Sequence, residues 1–124
     1  MRLLLGIGGG DDSMRALEAT VERARETGDE LTVAVIENPD AARSTDELVE
    51  RARARLDEAG VSAEIRTLEA GDQPGASLVE LAETGGFDRL VLGGGEASPL
   101  GKIRLGPITE FVVLNATTTV TLVR

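Results

Sequence analysis

"LLLGIGGGDDSMRALEAT", residues 3 to 20, decides how the rest of the chain is read. Its first five residues are a short, nearly continuous apolar run, as expected of a strand buried on both faces, and "GGGDDS" (8–13) then turns the chain. Met14, Leu17, Val21 and Ala24 follow at helical spacing. Asp12 or Ser13 is placed to cap this helix and Gly28 to stop it. A buried strand, a turn and an amphipathic helix open an alternating α/β pattern, and the next hundred residues repeat it.

"ELTVAVIE" (30–37) is a second strand by its β-branched content, and "NPD" ends it. Ser44 with Glu47 three positions on fits a capping box; Leu48, Val49, Ala52 and Leu56 form the buried stripe of a helix that Gly60 closes. Arg51, Arg53 and Arg55 on this helix stand among acidic neighbours and read as solvated side chains rather than a binding patch. "VSAEIRTLE" (61–69) is a third strand, "GDQPG" a turn, and Leu78, Leu81 and Ala82 the inward face of a helix ending at Gly85-Gly86. "FDRLVLGGG" (87–95) is a fourth strand running into glycines. Gly106-Pro107 precedes a short helix carrying Ile108, Phe111 and Val112, and "TTTVTLVR" (117–124) is a fifth strand. Five strands alternating with four helices predict a doubly wound parallel sheet, helices on both faces, as one domain over residues 1–124.

Composition narrows the function. Only Phe87 and Phe111 are aromatic, so stacking platforms for single-stranded nucleic acid are excluded, and the core has to be built from Leu, Val, Ile and Ala. A net charge of −9 repels phosphate backbones and anionic membrane surfaces, so neither nucleic acid nor membrane is an expected partner. Lys102 is the only lysine among thirteen basic residues. This acid-rich, lysine-poor balance resembles proteins of salt-loving archaea, and codon bias in a GC-rich genome explains it equally well. The chain has no cysteine, which suits a reducing cytoplasm, and no apolar stretch long enough to span a bilayer. With no His, Cys or Tyr, the common general bases and nucleophiles are missing, so no catalytic residue is expected.

Ligands of open parallel sheets bind outside the carboxyl ends of the strands, where both glycine clusters lie. The first, "GIGGGDDS", fails as a dinucleotide fingerprint because the third glycine position falls on Asp11 or Ser13. The second contains "EASPLGKI" (96–103), with P-loop spacing but Glu96 and Ile103 where a glycine and a Ser or Thr belong. The pair Asp11-Asp12 resembles the magnesium-binding carboxylates of phosphoreceiver domains. The acceptor Asp after strand three and the Lys after strand five are missing, so capping the first helix is the better account of the pair.

The order of elements, the opening "LLLGIGGGDDSMRALEAT", "LTVAVIE" and above all "RLVLGGGEASPLGKIRLGPITEFVVLNATTTVTLV" resemble the universal stress protein family over essentially the whole chain. The resemblance implies the five-stranded α/β fold of that family, related to adenine-nucleotide hydrolases, and an ATP site. In nucleotide-binding relatives the motif is a glycine, two residues, a second glycine, nine residues, then glycine with Ser or Thr. Here the spacing survives as Gly93, Glu96, Gly106 and Pro107. Glu96 brings a Cβ and a carboxylate to a place that needs bare backbone, and Pro107 removes a hydroxyl and an N–H. Gly8 stands where the family's nucleotide binders carry an Asp toward the adenosine.

The site positions implied by the resemblance are therefore Gly8, Val35 beside the adenine, Gly93, Gly94, Gly95, Glu96, Gly106 and Pro107, three of them altered. The expectation is a cytoplasmic, stress-associated binding or regulatory module that pairs through residues 117–124, needs no cofactor or metal, and has weakened or lost ATP binding. The alternative is an ATP or AMP sensor using the loop 93–107. Slow hydrolysis of a phosphoanhydride, with magnesium on Asp11 or Asp12, is a third class.

Overall fold

The computed structural model describes residues 1–38, 43–73 and 75–124. The chain runs through β1 (Arg2–Ile7), α1 (Asp11–Thr27), β2 (Glu30–Ile36), α2 (Thr45–Ala59), β3 (Ala63–Leu68), α3 (Ala76–Thr84) and β4 (Arg89–Gly93). It continues through β5 (Glu96–Ala97), β6 (Ile103–Arg104), α4 (Pro107–Asn115) and β7 (Thr119–Val123). Five of the strands form one parallel sheet in the order β3-β2-β1-β4-β7. The doubly wound sheet expected from the apolar runs is thus observed, with strand ends shifted by one or two residues.

The alternation of β1 sorts the core into two layers. Leu3, Leu5 and Ile7 point to the face covered by α1 and α2, where they meet Leu17, Val21, Leu48, Ala52 and Leu56. Leu4 points the other way, to α3 and α4, with Ala34, Leu78, Leu90, Leu92 and Val112. Each wholly buried Leu or Ile contributes about 1.5–3 kcal/mol relative to an exposed one. Gly6 interrupts the run for a steric reason: a Cβ there would collide with Leu78, so its absence lets α3 settle onto β1. On the outer side of the first layer, Arg55 of α2 donates to Glu18 of α1 at 2.6 Å. The hydrogen bond from Arg25 holds the Glu22 carboxyl below the usual carboxylate range, against partial desolvation and with help from the charge of Arg55.

Capping follows the sequence at α2, where Ser44 Oγ accepts the Glu47 N–H at 3.2 Å and Gly60 takes a left-handed φ of 69°. It departs from expectation at α1. The N-cap is Gly10, with no side-chain cap, because the chain is already helical at Asp11. The hairpin of β5 and β6 likewise has no counterpart among the five strands expected. Two-residue strands carry no periodicity to read, and what closes them is the turn, where Ser98 N–H donates to Lys102 O at 2.6 Å. Among the described residues no helix is long and apolar enough to cross a membrane.

Winding runs outward from β1 to β3 on one side and from β4 to β7 on the other, so direction reverses between β1 and β4. The crevice beyond the carboxyl ends of those two strands is where a ligand is expected in such a sheet. Both glycine triplets lie in it.

Candidate ligand site at the glycine loops

β1 delivers Gly8, Gly9 and Gly10 to the crevice, and β4 delivers Gly93, Gly94 and Gly95 from beside it. Because α1 begins at Asp11, Asp12 falls in its first turn and its carboxylate reaches across to the second triplet. Oδ1 accepts the Ser13 N–H and Oδ2 accepts the Gly95 N–H, both at 3.0 Å. A carboxylate is favoured at a helix N-terminus, and charge-assisted hydrogen bonds are about twice as strong as neutral ones. The surroundings leave room for this group only because they are glycine. A Cβ on Gly93 would come within 2.7 Å of Asp12 Cγ and Oδ2, and one on Gly10 within 2.7 Å of Oδ1.

Two further backbone donors of the loops are engaged. Gly94 N–H donates to Val123 O at 2.6 Å, tying the loop to the end of β7, and Gly8 N–H donates to Ser13 Oγ at 3.1 Å. Arg15 Nη2 donates to Gly95 O at 3.1 Å and to Glu96 Oε1 at 3.3 Å. Arg43 clasps the first triplet in a similar way, donating to Gly9 O at 3.0 Å and Asp11 Oδ1 at 3.2 Å. Thr109, buried in α4, donates from its hydroxyl to Gly93 O at 3.3 Å. The start of α4 is different: Gly106 is its N-cap without a side-chain partner, and Pro107 occupies N1.

Between these loops lies a cavity of about 300 Å³. It brings together Gly8, Gly93, Gly106 and Pro107 with Gly6, Gly9, Gly10, Asp12, Ser13, Asn38, Leu92, Ile108 and Thr109. A wider groove of about 570 Å³ continues past Asp12 and holds Gly95, Glu96, Arg43 and Arg104 along with Gly106 and Pro107. Gly94 turns to a third recess beside Arg15 and Arg124. Val35 does not line this cavity; its side chain is wholly buried in the layer under α1 and α2, and Asn38 is the residue beyond β2 that lines the cavity. Glu96 sits on the exposed β5 with its side chain paired to Arg15, so it does not project into the cavity lined by Gly93.

Arg15 and Arg43 have no signal in the sequence as parts of this site, and Asp12 enters there only as a helix cap or a magnesium ligand. Its contact with Gly95 spans 83 positions, a distance over which periodicity carries no signal. Among the described residues there is no group of three or more His, Cys, Asp or Glu that could hold a metal ion. Asp11 faces Arg43 and Asp12 faces Gly95.

The model of the universal stress protein family matches residues 1–124. A comparison with curated proteins finds no match. Among solved structures, the chain is similar to a universal stress protein from Archaeoglobus fulgidus, with 22% identity and a TM-score of 0.80 over 100% of this chain and 98% of that one. A universal stress protein in complex with cAMP aligns with 25% identity and a TM-score of 0.74, covering 100% and 96%. The Archaeoglobus fulgidus protein in complex with dAMP aligns with 22% identity and a TM-score of 0.70, covering 100% and 98%.

Proposed function

The chain belongs to the universal stress protein family, and we propose that it acts there as a dimeric binding or regulatory module with weakened nucleotide binding and no chemistry of its own. The observation that carries this reading is the engagement of the loop donors by the protein itself: Gly95 N–H by Asp12, Gly94 N–H by Val123 and Gly8 N–H by Ser13. A phosphate entering the loop would have to displace a carboxylate and a strand-end carbonyl. Pro107 supplies neither N–H nor hydroxyl in compensation. The lack of His, Cys and Tyr supports a role without catalysis, and the lack of cysteine suits a reducing cytoplasm.

The second reading, an ATP or AMP sensor, is favoured by the persistence of the cavity over Gly93 and Gly106 and by the uncapped start of α4. Related proteins have been solved with cAMP and dAMP. Calorimetry with Mg-ATP separates the two. The module gives no heat below about millimolar ligand, whereas a sensor gives a micromolar isotherm. Protein purified without added nucleotide and then denatured should likewise release no adenine nucleotide.

Pairing rests on the contrast between the two sheet edges. β3 carries Glu64 and Arg66, charges that discourage a second strand from adding there. β7, "TVTLV", carries none, and Val113 and Leu114 stand exposed on the helix that precedes it. We propose that a second copy covers β7. Val120→Asp or Leu122→Asp should give a monomer in light scattering or unfold the protein, and a wild-type monomer at high micromolar concentration would refute the pairing.

A further inference from the structure

The proposed weakening of nucleotide binding leaves the cavity itself unexplained, and its charge is informative. Of the described residues lining it, Asp12 is the one that bears a charge. Arg15 pairs with Glu96 and Arg43 with Asp11, and Arg43 and Arg104 lie along the wider groove rather than in the cavity. The remaining polar lining is Ser13, Asn38 and Thr109, set against apolar Leu92, Pro107 and Ile108.

A phosphate cradle works by aiming backbone N–H groups at an anion. Here the Gly95 N–H already points at an anion, and that anion is covalently part of α1. The fit is specific, because bare backbone at Gly10 and Gly93 is what admits the Asp12 carboxylate. Two of its roughly four lone-pair positions are taken by Ser13 and Gly95, which leaves acceptor capacity for hydroxyl donors. A second anion a few ångström away would meet like-charge repulsion in a partly desolvated pocket.

We propose that Asp12 is the specificity-determining residue of this cavity, standing where a ligand phosphate would lie, so that the cavity takes an uncharged, hydroxyl-bearing ligand of nucleoside size in preference to its phosphate ester. The volume of about 300 Å³ agrees, being at the lower end of the range for small-molecule sites. This rests on the reading of the loops as a disabled nucleotide site, and it names what the site keeps: selection by charge, opposite in sign to that of a phosphate-binding loop.

The test is calorimetry with adenosine and AMP as probes on wild type and on Asp12→Asn, with Glu96→Gln as the comparison variant. Wild type should bind adenosine more tightly than AMP by on the order of tenfold or more, and Asp12→Asn should narrow that ratio to about threefold or less. Glu96→Gln, whose charge is turned toward Arg15, should leave the ratio near its wild-type value. If Asp12→Asn is poorly folded by thermal melting, Asp12→Ser replaces it, and if both fail the wild-type ratio decides alone. AMP binding as tight as adenosine, no detectable binding of adenosine, or a ratio that responds to Glu96→Gln and not to Asp12 would each overturn the proposal. Micromolar Mg-ATP binding by wild type would instead sink the reading of the loops as disabled, so the two failures are distinguishable.

Discussion

The two glycine triplets are identical as letters and opposite in use. Gly8 to Gly10 and Gly93 to Gly95 each follow a central strand, and each contains one left-handed residue, Gly9 at φ 96° and Gly95 at φ 79°. The first triplet lines the cavity with all three residues and is stabilised within its own helix start, through Ser13, and by Arg43. All three residues of the second are buried and held by distant parts of the chain: Asp12 and Arg15 from α1, Val123 from β7 and Thr109 from α4. One triplet shapes the space with all three residues, while the other adds only Gly93 to its lining and otherwise serves as a junction. Glycine in a loop after a strand therefore says that backbone comes close to something, and only the fold says whether that is a ligand or the protein.

Substitution should separate the two triplets most sharply. Gly95→Ala forces a left-handed alanine, costing about 1–3 kcal/mol, and drives its Cβ into the Arg104 carbonyl, so urea denaturation should show a loss at or above that range. Gly8→Ala meets only the Cδ1 of Ile108 at 2.9 Å, the end of a flexible side chain, and reduces the entropy of the unfolded chain. Its change should stay within about 1 kcal/mol of wild type. Equal losses at the two positions would show that the first triplet is a packed junction as well.

A smaller effect separates the parts of the junction. Arg15→Gln removes the clasp on Gly95 O and the exposed pair with Glu96, and exposed pairs contribute about 0–1 kcal/mol, so thermal melting should move by a few degrees at most. A shift as large as that of Gly95→Ala would mean that Arg15, rather than Asp12 and the backbone, holds the loop in place.

The sheet, its four flanking helices and the crevice that both glycine triplets reach are legible because buried parallel strands and amphipathic helices announce themselves through local pattern. "LLLGI" and "RLVLG" name central strands by being apolar on both faces, and Ser44, Gly28 and Gly60 mark helix ends by their own chemistry. The content of the site was less legible. Glu96 looked like the intruding charge because it stands at the glycine position of the family motif, yet the β5–β6 hairpin carries it outward to Arg15. Asp12 looked like a helix cap because its neighbours in sequence are a turn and a helix, while its second partner is supplied by a strand that pairs beside β1. Tertiary juxtaposition of this kind leaves no trace in spacing.

The Gly95 amide is held by Asp12 and is not free for a phosphate, and that amide can be observed directly. In ¹H–¹⁵N spectra of the wild-type protein, the Gly94 and Gly95 amides should exchange slowly with solvent and keep their shifts as Mg-ATP is raised to about one millimolar. Exchange of Gly95 at the rate of an exposed amide, or a saturable shift of either resonance at micromolar Mg-ATP, would contradict it.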